Sequence, residues 1–144
     1  MRVLVMVKAN EGYEAGTSQP SEELMAAMAK YNEELEKAGV LLAANGLQPS
    51  SEGARVEFSG TRRTVVDGPF SETKELVAGF WLWQVASMDE AIEWVKRCPN
   101  PDAEDGVVEI RPVAEAADFD DLVTPEIREQ LERIDMRGSE TATE

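Results

Sequence analysis

Leu76-Val77-Ala78-Gly79-Phe80-Trp81-Leu82-Trp83 is the most apolar run in the chain, and its alternation decides the fold. On a strand, successive side chains point to opposite faces of the sheet. Leu76, Ala78, Phe80 and Leu82 then line one face, and Val77, Trp81, Trp83 and Val85 the other, so a strand over residues 76 to 86 has no polar side. Residues 2 to 9 read the same way: Val3, Val5 and Val7 share one face, Leu4 and Met6 the other. Strands apolar on both faces belong in the interior of a sheet covered on both sides.

Immediately upstream stands Val65-Val66-Asp67-Gly68-Pro69-Phe70-Ser71-Glu72-Thr73-Lys74-Glu75. Asp-Gly favours a turn, because Gly accepts positive φ and Asp can bond its own backbone. Pro69 fixes its own φ and restricts Gly68, so the chain leaves the turn in one direction. The stretch reads as a rigid polar loop between two strands. Such a loop either sets strand register or carries a site.

The remaining elements fall into place around these two stretches. Residues 10 to 20 read as a polar loop with Gly12 and Gly16, closed by Pro20. A helix follows, opened by Ser21, Glu22 and Glu23, with Leu24, Met28, Tyr31 and Leu35 as its buried stripe and Gly39 as its stop. A strand over residues 40 to 47 is interrupted at Asn45-Gly46, which suggests a bulge there. Residues 54 to 58 and 62 to 66 pair as a hairpin about Ser59-Gly60. Ser87-Met88-Asp89-Glu90 is a capping box that starts a second helix, with Ala91, Ile92, Val95 and Cys98 facing inward and Pro99 ending it. An acidic loop leads to a last strand over 107 to 113. After Asp118, Asp120 and Asp121, Thr124-Pro125 opens a third helix with a narrow stripe of Ile127, Leu131 and Ile134.

The order β-α-β, hairpin, β-α-β predicts an α+β ferredoxin-like plait with an added hairpin and a C-terminal helix. It forms one domain over residues 1–137, with 113–137 as an extension and 138–144 as a frayed tail. Two helices can cover only one face of the sheet. A third helix or a second subunit must cover the other, and a symmetric dimer with Trp81 and Trp83 at its interface is the expectation.

A net charge of −15 opposes binding to phosphate backbones or anionic membranes. The absence of histidine removes the usual general base near neutral pH, the commonest zinc ligand and every imidazole-based triad. Proton transfer would fall to carboxylates, Lys, Tyr or water, with shifted pKa values. A single cysteine, Cys98, excludes an internal disulfide and suits a reducing cytoplasm. The apolar residues 3 to 7 are too short for a signal peptide, and no stretch is long enough to span a membrane. Neither a metal-ligand pattern nor a cofactor motif is present, and Ser71-x-x-Lys74 is a three-residue coincidence without companion motifs.

Asp67-Gly68-Pro69-Phe70-Ser71-Glu72-Thr73-Lys74-Glu75 resembles the signature of the DGPF-domain branch of the YCII-related family. Pro20-Ser21-Glu22-Glu23-Leu24, Tyr31-Asn32-Glu33-Glu34-Leu35, Phe58-Ser59-Gly60, Ala91-Ile92-Glu93-Trp94 and Glu109-Ile110-Arg111-Pro112-Val113 extend the resemblance to about residue 137. It implies a bacterial ferredoxin-like subunit in a dimeric α/β barrel, in a group of mostly unassigned activity. Some members are linked to extracytoplasmic-function sigma factors. The wider family includes enzymes with a proposed His–Asp site, from which this chain departs. Gln48 stands where relatives often carry His, and its amide cannot exchange protons near pH 7.

Three readings of function follow. The first is a small-molecule-binding or accessory module for a polar or anionic ligand, with Arg63, Pro69, Phe70, Lys74 and Gln48 around it. The stretch from Glu52 to Glu75 carries a net −1, leaving −14 elsewhere, so an anion is tolerated there. The second is a lyase or isomerase with Asp67 as carboxylate base, its pKa raised by partial desolvation. The third is an acidic interaction module that covers a basic sigma factor.

Overall fold

The computed structural model describes residues 1–119 and 121–140. In chain order its elements are β1 (Arg2–Lys8), α1 (Glu11–Glu14), α2 (Glu22–Lys37), β2 (Leu41–Gly46), β3 (Ala54–Ser59), β4 (Arg62–Asp67), β5 (Val77–Gln84), α3 (Met88–Lys96), β6 (Val108–Pro112) and α4 (Pro125–Glu140). Short 3-10 turns occupy Ser50–Glu52, Thr73–Glu75 and Ala116–Phe119. One sheet has the order β2-β5-β1-β6 with every neighbour antiparallel, and β3 and β4 pair separately. Strand β5 thus splits the β1-α2-β2 unit and β1 splits β5-α3-β6, the ferredoxin-like arrangement that the sequence predicts. The two strands read as apolar on both faces are the two interior ones.

Local signals start and stop the helices. Ser21 Oγ accepts from Leu24 N–H at 3.0 Å, and Gly39 follows α2 with φ of 72°, a conformation that costs glycine little. At α3, Ser87 Oγ accepts from Glu90 N–H at 3.1 Å, while the Glu90 carboxylate reaches back to Ala86 N–H at 2.6 Å. The hydroxyl half of the capping box is therefore made, while the carboxylate bonds the residue before the N-cap instead of the Ser87 N–H.

Helices α2 and α3 lie on the same face of the sheet. Across the central pair, Val3 faces Trp83 and Val5 faces Trp81, and these four pack with Tyr31 and Leu35 of α2 and Ala91 of α3. Tyr31 Oη donates to the Trp94 carbonyl at 2.6 Å, tying the two helices together. Its ring meets Trp81 edge-on, with centroids 5.8 Å apart. Trp83 is fully buried, and its Nε1 has no hydrogen-bond partner among the described residues.

This placement corrects the expected interface. Trp81 and Trp83 are 4% and 0% exposed because the subunit's own helices cover them, so neither is free to meet a second chain. The uncovered face holds Leu4 opposite Leu82 and Met6 opposite Phe80, all partly buried. Helix α4 does not close over it: Ile127, Leu131 and Ile134 remain 41%, 37% and 65% exposed. Its tie to the sheet is ionic. Arg2 grips Glu115 at 3.0 and 2.9 Å and Asp135 at 3.3 Å, and the hydrogen bond from Arg2 holds Glu115 below its usual carboxylate range.

Three smaller differences have local causes. Residues 11–14 coil into α1 because Asn10 Oδ1 caps Tyr13 N–H at 2.8 Å. The irregularity in β2 lies between Leu41 and Ala43 rather than at Asn45-Gly46, which stays in register with Phe80 and Gly79. Strand β5 stops at Gln84, and Val85 N–H instead bonds the Met1 carbonyl at 2.9 Å. Asp120 and residues 141–144, the end of the expected tail, lie outside the described residues.

Burial pushes the Tyr31 phenol up from its ordinary value. The folded state then holds this proton more tightly than the unfolded chain, so the stability Tyr31 contributes is complete below about pH 10 and falls as pH rises beyond it. Denaturant unfolding of the wild type and Tyr31→Phe across this range should show the wild type losing its advantage above about pH 10. Parallel curves would contradict the assignment.

Candidate functional site

The loop after β4 is built as a clamp. A Cβ on Gly68 would lie 1.7 Å from the Ser50 carbonyl oxygen, so only glycine fits. Gly68 N–H donates to Gly53 O at 3.0 Å, and the Gly68-Pro69 peptide is cis. Phe70 N–H donates to Ser50 Oγ at 3.0 Å; that hydroxyl in turn donates to the Glu14 carboxylate. Glu14 also accepts from Ser50 N–H at 3.2 and 3.1 Å. The Arg55 guanidinium covers the Phe70 ring at 3.9 Å. Residues from α1, the Ser50–Glu52 turn and β3 thus hold the loop in one shape.

The residues expected to share a ligand do not converge. The Asp67 side chain is exposed, with no hydrogen-bond or ion-pair partner among the described residues. Arg63 lies four residues away along β4, about 13 Å at strand rise, bonded to the Gly60 and Arg62 carbonyls at 3.3 Å and stacked over Phe58. Lys74 and Gln48 are exposed. Pro69 and Phe70 line a shallow groove of about 350 Å³ with Glu11, Glu14, Ala15, Ser71 and Thr73. Two glutamates on that wall oppose the anionic ligand expected there.

A second cavity, of about 290 Å³, has different chemistry. Its lining comes from Val7 on β1, Met28 and Asn32 on α2, Ala44, Asn45 and Gly46 on β2, and Ala78, Gly79, Phe80 and Trp81 on β5. No charged side chain borders it. The space exists because small residues meet there: Gly46 pairs with Gly79 two residues beyond the Ala44–Trp81 pair, on the face that α2 overhangs. A Cβ on Gly46 would meet nothing within 4 Å. One wall is the Trp81 indole, fixed by Tyr31, by Trp83 at a centroid distance of 5.8 Å, and by its Nε1 donating to Asn32 Oδ1 at 2.8 Å.

Asn32 is a site residue beyond those the sequence points to, although its position carries a signal. A buried tryptophan usually finds an acceptor for its N–H, as Trp81 does here and Trp83 does not. Asn32 stands beside Tyr31 and one helical turn after Met28, where a polar side chain borders the apolar stripe. The Glu14–Ser50 clamp left no comparable trace, because its members are distant in sequence.

The fold is thus a ferredoxin-like domain with an uncharged cleft between its first long helix and its sheet. Residues 1–117 match the YCII-related domain, and the chain belongs to the YCII-related family. An uncharacterised protein of Rhizobium meliloti (strain 1021) is 33% identical over 100 residues, covering 69% of this chain and 81% of its own. Among solved structures, 5-chloro-2-hydroxyhydroquinone dehydrochlorinase from Burkholderia phenoliruptrix AC1100, in complex with 2,5-dihydroxybenzoquinone, gives a TM-score of 0.46 at 18% identity over 81% of this chain and 97% of that one. No described helix is long and apolar enough to cross a membrane. Among the described residues, no group of three or more His, Cys, Asp or Glu is placed to hold a metal ion.

The clamp separates shape from charge in this loop. Gly68→Ala should cost about 3 kcal/mol or more, because backbone must move to admit the methyl group. Asp67→Asn should change stability by less than about 0.5 kcal/mol, as expected of an exposed group without partners. Thermal and denaturant unfolding of both variants measures this. Equal losses would show that Asp67 also holds the loop.

Proposed function

We propose that this protein binds a small uncharged molecule, about one substituted ring in size, in the cleft between α2 and the paired Gly46 and Gly79. The carrying observation is the lining itself: apolar surface, one fixed indole wall and two asparagines, of which Asn32 is held in place by the Trp81 indole N–H. Its volume of about 290 Å³ sits at the small end of ligand sites, which run from about 300 Å³ upward, and about 150 Å³ already admits benzene. The absence of a cation from the wall favours a neutral ligand over an anion, since a buried charge without a partner is costly. With no histidine in the chain, binding rather than imidazole chemistry is the proposed activity.

Filling the cleft tests this. Gly46→Leu places a side chain into open space on a strand, so stability should hold while binding is lost. Neutral single-ring compounds titrated into labelled protein should shift the amide resonances of Gly46 and Gly79 in the wild type and leave that of Gly79 unmoved in Gly46→Leu. Failure of any such compound to move them at millimolar concentration overturns the reading.

A second copy of the chain is the proposed cover for the other face of the sheet. Leu4, Met6, Phe80 and Leu82 share that face, and the α4 stripe stays exposed beside it. Contiguous apolar surface of this kind is unusual on a monomer. Light scattering at micromolar concentration should give about twice the subunit mass of 15.9 kDa. A monomeric mass would exclude a second copy as the cover.

A further inference from the structure

The bond between Trp81 and Asn32 fixes more than the indole. An indole N–H can only donate, whereas a side-chain amide has an accepting end and a donating end. Trp81 is 4% exposed, and its Nε1 meets Asn32 Oδ1 at 2.8 Å. Turning the amide over would set its NH2 against the buried N–H, donor against donor, and leave both unsatisfied. Tyr31 and Trp83 hold the indole on its other sides, so it cannot rotate to follow. Asn32 is therefore locked with its oxygen spent on Trp81. Its Nδ2 has no partner among the described residues, and the residue borders the cleft.

We infer that Trp81 is a positioning residue that makes Asn32 a one-way donor, so that the cleft selects neutral ring compounds carrying a hydrogen-bond acceptor, such as a carbonyl, over those carrying only a donor. The inference rests on the cleft being a binding site and adds its polarity. An acceptor satisfies Nδ2, whereas a donor-only ring leaves it unpaired and desolvated. A carbonyl oxygen projecting from the ring edge suits the site, with the ring against Trp81.

The test uses two neutral probes of the same heavy-atom count: acetophenone, which only accepts, and indole, which only donates. Amide shifts of Gly46 and Gly79 report occupancy of the cleft by either. In the wild type acetophenone should bind about tenfold more tightly than indole, the worth of one neutral hydrogen bond. Asn32→Asp replaces the free donor by an acceptor while still accepting from Trp81, and should reverse the preference. Trp81→Phe releases the amide to turn either end inward, and should bring the ratio close to one. Thermal unfolding of each variant confirms that it is folded at the temperature of titration. Binding of both probes at Gly46 and Gly79 with a ratio that Asn32→Asp leaves unchanged overturns the inference and spares the cleft. Absence of shifts from either probe overturns both.

Discussion

The Trp81 indole has two demands that conflict in most settings: a large apolar surface to bury and an N–H to satisfy. Here the central sheet meets the first and α2 the second. Strand β5 presents Trp81 and Trp83 toward the helices, Val3 and Val5 lie beneath them, and Tyr31 and Asn32 come down from α2. Because Tyr31 and Asn32 are adjacent, one helical turn supplies both an aromatic edge and an acceptor. The position of α2 over the sheet follows from that double contact. Tyr31 then carries the constraint on to α3 through the Trp94 carbonyl. The cleft is the space left where this layer of large side chains gives way to Gly46 and Gly79.

Much of the fold was legible because it depends on periodicity. Two strands apolar on both faces, two helices with clear starts and a hairpin between them suffice to specify the ferredoxin-like order. The choice of face was not legible. Alternation along residues 76 to 85 says that both sides are apolar, but it does not say which side the helices take. Periodicity alone therefore allows Trp81 and Trp83 on the open face, whereas their bulk lies under α2 and α3 and the slimmer Leu4, Met6, Phe80 and Leu82 remain outside. Likewise, a glycine pair across two strands is a fact of register. Asn45-Gly46 reads alone as a bulge, and only its partner Gly79 turns it into a floor.

The Asp67 motif shows how a conspicuous sequence can have its meaning elsewhere. Its glycine is required by a carbonyl at residue 50, and its phenylalanine backbone is held by a serine that a glutamate in α1 orients. None of these partners is close in sequence. The charged side chains of the motif, Asp67, Glu72, Lys74 and Glu75, are the ones the clamp does not use. The turn at Asp67-Gly68 is legible in the sequence, but the contacts that hold it and the location of the uncharged cleft both depend on long-range packing.

The two tryptophans also differ in how their indole protons can reach water. The Trp81 proton is bonded to a side chain of α2 at the edge of a cleft, so lifting that helix is enough to release it. The Trp83 proton is bonded to nothing described and is sealed inside the core, and it can leave only when the sheet and its helices part. Two positions apart on one strand, they form a pair of natural hydrogen-exchange gauges, one set to local opening and the other to global unfolding.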